Sequence, residues 1–115
     1  MQGNESGRQP SKADIKRYLQ NKFNLPEAQV DLMLPDFIVT LSDHMHNIQS
    51  AYGSGDLVWL GRAAHAMKGA LLNLGLSQAA AVALIIEENG RDQNQNADFQ
   101  LYISQLQDRI ANLFS

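Results

Sequence analysis

Hydrophobic positions along this chain recur with a helical rather than a strand period. Ile15, Leu19 and Phe23 fall at i, i+4 and i+8. Ser11 stands before them with Asp14 three residues later, a capping-box pairing that predicts a helix over 11–23. Leu25-Pro26 interrupts that pattern, and Pro26 suits the first turn of the next stretch. Pro35 then falls inside an apolar run. Lacking an N–H and crowding the turn before it, it should kink or restart the helix. The expectation is a short piece over 26–33 and a long helix over 35–52, with Phe37, Leu41, Met45, Ile48 and Tyr52 inward. Gly53-Ser54-Gly55-Asp56 reads as a turn and cap. A further helix over 56–73 ends at Leu74-Gly75, where glycine suits the C-terminal cap. Ser77 is expected to cap a helix over 77–89 closed by Asn89-Gly90. A last helix over 96–113 starts at Asn96 and turns Phe99, Tyr102, Ile103, Leu106, Ile110 and Leu113 inward.

Composition agrees with this all-α reading: 15 Leu and 13 Ala stand against 12 β-branched residues, and no stretch alternates with period two. Four amphipathic helices joined by short loops pack most simply as an antiparallel up-down-up-down four-helix bundle, with the additional N-terminal helix lying across one end. At 115 residues the chain makes one domain. The polar stretch 1–10 reads as a flexible tail, which leaves 11–115 as the bundle domain. The chain begins at Met1 with no domain before the bundle, which is the expectation for a free-standing protein.

Charge and residue usage exclude several function classes. Nine Lys and Arg against 12 Asp and Glu give a net charge of −3, which is no basic nucleic-acid footprint. With no cysteine, disulfide scaffolds, cysteine zinc sites and thiol nucleophiles are excluded. The longest apolar run, 79–86, is far below a membrane span, and the N-terminus offers no apolar signal segment. The expected setting is cytoplasmic. Neither GxGxxG nor GxxxxGK[ST] occurs.

Helix 56–73 departs from the usual pattern. Leu60, Met67, Leu71 and Leu74 share one side, flanked by Ala63, Ala64 and Ala70, and form its core face. Opposite stands His65, with Lys68 and Gly69 one turn after it and Gly61 and Arg62 one turn before. Val58 and Leu72 lie two turns away. A solvated face is normally built from charged, good helix formers. Here two glycines each cost up to about 1 kcal/mol relative to Ala, and two aliphatics face water. The result is a smooth surface around a projecting imidazole with a cation beside it.

His65-Ala66-Met67-Lys68-Gly69, followed by Leu74-Gly75, resembles the signature of histidine phosphotransfer (HPt) domains. Residues 47–56 (NIQSAYGSGD) resemble the helix end and Gly-Asp turn before that motif, and 84–91 (LIIEENGR) the end of the helix after it. The resemblance covers about residues 35–110. Met67 stands where the family usually has Leu, and Leu71 and Leu72 are larger than the family's usual residues. HxxKG arises by chance in about 1% of chains this long, so its weight comes from its place at mid-helix, away from the core. The resemblance implies a phosphoprotein in a two-component phosphorelay, with His65 as phosphoacceptor and Lys68 stabilising phosphoryl charge. It implies a phosphoryl carrier without kinase activity. Its partners would be receiver domains of a hybrid histidine kinase or a response regulator, docking over Val58, Gly61, Arg62, Gly69 and Leu72. It implies no cofactor of its own, with magnesium on the partner. Glu87 and Arg91 match positions on the following helix that orient the ring or contact phosphate. A monomer is expected.

The chemistry fits those residue types. An imidazole with a pKa near 6.5 is largely neutral and nucleophilic at pH 7, and its N-phosphoryl group stays transferable. Lys68 offers a point charge one turn on. Phosphoryl transfer depends mainly on positioning and charge stabilisation, and the metal-holding carboxylates can belong to the partner. Other residues have plainer readings. His44 and His46 lie two apart, face different ways and read as surface residues. No well-placed pair of His or carboxylate at helical spacing suggests a metal site. Trp59, Met33 and Met67 read as core packing. Arg62, Glu87 and Arg91 can equally be solvated. The competing function is a helical adaptor that docks a signalling partner on the same face without phosphotransfer, and a purely structural bundle is the third. Retention of both His65 and Lys68 favours phosphotransfer, since docking alone requires neither.

Overall fold

Residues 9–114 are described by a computed structural model, and every regular element among them is helical. The elements are α1 (Lys12–Phe23), α2 (Glu27–Ser54), α3 (Leu57–Asn73), α4 (Ser77–Arg91) and α5 (Phe99–Ile110), closed by a 3-10 turn over Ala111–Phe114. The core is one cluster of aliphatic and alanine side chains drawn from all five helices and the closing turn. No helix among the described residues is long and apolar enough to cross a membrane. The expected tail falls mostly on residues 1–8, which lie outside the described part.

Local signals set most of the boundaries. Ser11 and Asp14 form the capping box: the Ser11 hydroxyl accepts from the Asp14 N–H, and Asp14 Oδ2 accepts from the Ser11 N–H at 2.8 Å. Of the α1 stripe, Ile15 and Leu19 are buried, but Phe23 is 55% exposed. The helix ends at Phe23, whose ring lies largely in solvent.

Pro35 does not divide α2, which runs unbroken across it. The buried positions Val30, Leu34, Leu41, Met45 and Ile48 keep one helical phase through the proline, whose ring lies on the exposed side. An interior proline costs about 3 kcal/mol. Burying Val30 and Leu34, each worth about 1.5–3 kcal/mol, offsets it. Lys16 of α1 also reaches Glu27 at 3.1 Å and Asp31 at 2.8 Å, pinning the first turns of α2. At the other end of α2 the inward residue is Ala51, fully buried, whereas Tyr52 faces water.

The expected turn after α3 holds; that after α2 is shorter than expected, because Gly53 and Ser54 remain helical and only Gly55-Asp56 form it. Gly55 adopts φ 75° after α2, and Asp56 caps α3 by accepting from the Trp59 N–H at 3.0 Å. Gly75 adopts φ 76° after α3, with Gly75 N–H bonding to the Leu72 carbonyl at 3.1 Å and Leu76 N–H to that of Leu71 at 2.9 Å. The ring of Tyr18 occupies the space a Cβ at Gly75 would fill, so α1 reaches the turn between α3 and α4.

Three other expectations change. Ser77 is the first residue of α4, after an N-cap at Leu76 with no side-chain cap. Gly90 does not end α4: it lies inside the helix, buried against Gly61. The last helix starts at Phe99, capped by Asp98 accepting from Leu101 N–H at 3.1 Å, while Asn96 belongs to the preceding turn. Its inward set is as expected, with Phe99, Ile103, Leu106, Ile110 and Leu113 buried and Tyr102 partly so.

The rotation of α3 yields a stability test. Leu71 is fully buried and its neighbour Leu72 is 49% exposed. Leu71→Ala should lower stability by about 2–5 kcal/mol through lost burial and a cavity, and Leu72→Ala by no more than about 0.5 kcal/mol. Denaturant melts of the two variants check this, and equal losses would contradict the orientation of the helix.

Candidate functional site

The core face of α3 fixes what the opposite face can present. Leu60, Ala63, Ala64, Met67 and Leu71 are buried, which turns His65 outward at mid-helix with 67% of its side chain exposed. Lys68, one turn on, lies lower along the surface with 22% of its side chain exposed. Gly69 has open space where a Cβ would stand. Arg62 is exposed and in no ion pair among the described residues. Val58 and Leu72 are exposed aliphatics toward either end of the same face.

Glu87 joins the site from α4. Its Oε2 lies 2.9 Å from His65 Nδ1, and its Oε1 lies 2.7 Å from Lys68 Nζ. One carboxylate therefore bridges the imidazole and the ammonium. Oε1 is sealed from water, and its partner is the Lys68 charge, approached off the line of an ideal hydrogen bond. Partial burial alone would raise the Glu87 pKa. The ammonium of Lys68 and the ring N–H of His65, both in direct contact, outweigh burial and hold the carboxyl below its ordinary value. An ionised carboxylate only accepts, so Nδ1 must carry the proton. In the neutral ring the lone pair then sits on Nε2, on the far side from Glu87.

The remaining expected residues divide. Arg91 extends to its neighbour Asp92 at 3.5 Å and does not join the imidazole. Gly61 is not part of the exposed surface: it is buried, with the α4 backbone at Glu87, Gly90 and Arg91 packed where its Cβ would be. A single helix cannot show which of its small residues a neighbouring helix covers. Trp59 likewise is not core, keeping 38% of its surface exposed, while Met67 is fully buried and Met33 partly. His46 is exposed and His44 partly buried on α2, and neither meets His65. No sequence signal marks Leu84 as part of this face. It is exposed one turn before Glu87, and the 3.6-residue period of α4 places it on the face of Glu87, Glu88 and Arg91.

Comparison with protein families adds one match: the Hpt domain family, over residues 32–115. The match takes in α3, α4 and α5 and most of α2. The chain belongs to the Hpt domain family. Domains of this class are phosphocarriers of two-component signalling rather than kinases, and they work with receiver domains. Comparison with curated proteins and with solved structures gives no match.

The depressed Glu87 pKa fixes the sign of a pH effect. A carboxyl whose folded pKa lies below its unfolded value adds stability that is complete above the unfolded pKa, about 4.3 for Glu. That stability is lost as pH falls through the folded pKa. Glu87→Gln should therefore be less stable than the parent at pH 6, and the gap should shrink steadily below about pH 4. Denaturant melts of both proteins across this range provide the check. A gap that widens with acid contradicts the bridge.

Proposed function

We propose that this protein relays phosphoryl groups between receiver-domain aspartates through His65. The observation that carries the reading is the water-facing imidazole whose Nδ1 proton is engaged by Glu87. Nε2 is thereby left as the nucleophile. Its lone pair attacks the phosphorus of an aspartyl phosphate; the N–P bond forms as the O–P bond breaks, and the aspartate leaves as carboxylate. The Nδ1 proton stays on the ring, and Glu87 offsets the positive charge the ring acquires. Lys68 supplies charge to the phosphoryl oxygens, exchanging its contact with Glu87 for them. The same steps reversed discharge the group onto a second receiver.

No kinase activity is required of this chain. Magnesium belongs on the receiver, where it would offset phosphoryl charge. Val58, Arg62, Gly69 and Leu72 form the docking face, with Leu84 added from α4 and Gly61 removed. Arg62, exposed and in no ion pair among the described residues, suits an acidic surface on the receiver. The chain acts as a monomer in the cytoplasm. An adaptor role on the same face is the outcome if a receiver binds without passing phosphate.

Two variants test this reading. His65→Gln should keep the melting temperature nearly unchanged, because the ring is exposed, yet accept no acid-labile, base-stable phosphate from a phosphorylated receiver. Label that survives in this variant would overturn the assignment, and loss of label on changing His44 or His46 would redirect it.

Gly69→Gln tests the surface. The position is open, so the variant should fold. Its side chain would stand between the ring and the incoming receiver and disturb the in-line geometry. Transfer should slow by about tenfold or more, as expected when reacting groups lose alignment. A paired melt and transfer time course reads both, and a normal transfer rate would show that docking does not use this turn.

A further inference from the structure

The two glycines that departed from the sequence expectations meet each other. Gly61 lies one turn before His65 on α3, and Gly90 lies one turn after Glu87 on α4. The helices run antiparallel, and at this point they touch backbone to backbone. A Cβ at Gly90 would lie 2.7 Å from the Gly61 nitrogen and 2.8 Å from its Cα. A Cβ at Gly61 would lie 2.9 Å from the Arg91 nitrogen and 3.2 Å from the carbonyl oxygen of Glu87 itself. The residue that bridges the site is thus seated by its own backbone on Gly61.

We propose that Gly61 and Gly90 are positioning residues for His65. Their contact sets the separation across which the Glu87 carboxylate reaches the imidazole and Lys68 together. The proposal rests on His65 being the reactive residue, and it assigns to these glycines the control of which ring nitrogen holds the proton. Ala64 on α3 and Ala83 on α4 are themselves fully buried. A side chain at either glycine must push on main chain, which cannot fold away as a flexible side chain would. Glu87 cannot absorb the displacement freely. Its two oxygens are committed at 2.9 Å and 2.7 Å to groups a turn apart, and one of them is closed to water. Opening the pair by several tenths of an ångström should break the weaker, exposed arm to the imidazole.

The readout is the tautomer of His65 in the unphosphorylated full chain, measured by 15N NMR above the histidine titration. The parent should hold its proton mainly on Nδ1. Glu87→Ala, which removes the bridge outright, should revert to the Nε2–H form that free histidine favours in water. Gly61→Ala and Gly90→Ala should shift the same way, with Glu87 still in the sequence. Gly53→Ala, where a Cβ meets nothing within 4 Å, should leave the parent pattern intact. Folded Gly61→Ala and Gly90→Ala proteins that both keep the parent tautomer overturn the proposal. The parent also has to show a cross-helix NOE between the α-protons of Gly61 and Gly90. Its absence overturns the proposal even where neither variant folds. Phosphate transfer is not part of the readout, so a failure of the phosphorelay reading is recorded separately, by labelling.

Discussion

Close contact between α3 and α4 is the constraint on which the site depends. At Gly61 and Gly90 the pair meets through bare main chain. Larger residues there would separate the axes, and the Glu87 carboxylate would no longer span from its own helix to both His65 and Lys68. The glycines give up helix propensity, up to about 1 kcal/mol each, and the helix pair gains a close approach that larger side chains forbid. The caps at both ends of α3 support the same arrangement. Asp56 starts the helix, and the left-handed Gly75 ends it where Tyr18 of α1 closes over the turn.

From that packing the chemistry follows. A buried face made of Leu60, Met67 and Leu71 leaves the imidazole no choice but the solvent side. A lone exposed histidine in water has no fixed tautomer and no fixed orientation. The Glu87 carboxylate supplies both, because it can only accept and because Lys68 keeps it ionised. The site therefore brings an ammonium, a carboxylate and an exposed imidazole together across two helices, on a surface kept open by Gly69. Such an arrangement suits a phosphoryl carrier: everything that must be prepared in advance is on this chain, and the bulkier charge machinery can come with the partner.

Much of this was readable from residue order, and the exceptions share a cause. The α3 stripe was legible because its apolar positions keep the helical period without interruption, so the placement of His65 and Lys68 followed directly. The glycine caps at 55 and 75 were legible because a left-handed residue is a local property. Pro35 was misread because its local cost is real but smaller than the burial of Val30 and Leu34 on either side of the break it would make. Gly90 looked like a terminator, and Gly61 looked like part of a docking surface. Both judgements treated a helix alone, whereas each glycine is explained by the other. No spacing within one helix links Glu87 to His65, so family resemblance rather than periodicity points to its place beside the ring. Hydrophobicity alone points Phe23, Tyr52 and Trp59 inward, yet each keeps more than a third of its surface in water.

The central claim is that the bridge from Glu87 leaves Nε2 of His65 as the atom that carries phosphate. The most direct measurement is 31P and 15N NMR of the histidine-labelled protein after charging by a phosphorylated receiver. One phosphorus signal coupled to Nε2 of His65 is expected, with the proton remaining on Nδ1. Phosphorus coupled to Nδ1, or to no ring nitrogen of His65, would contradict it.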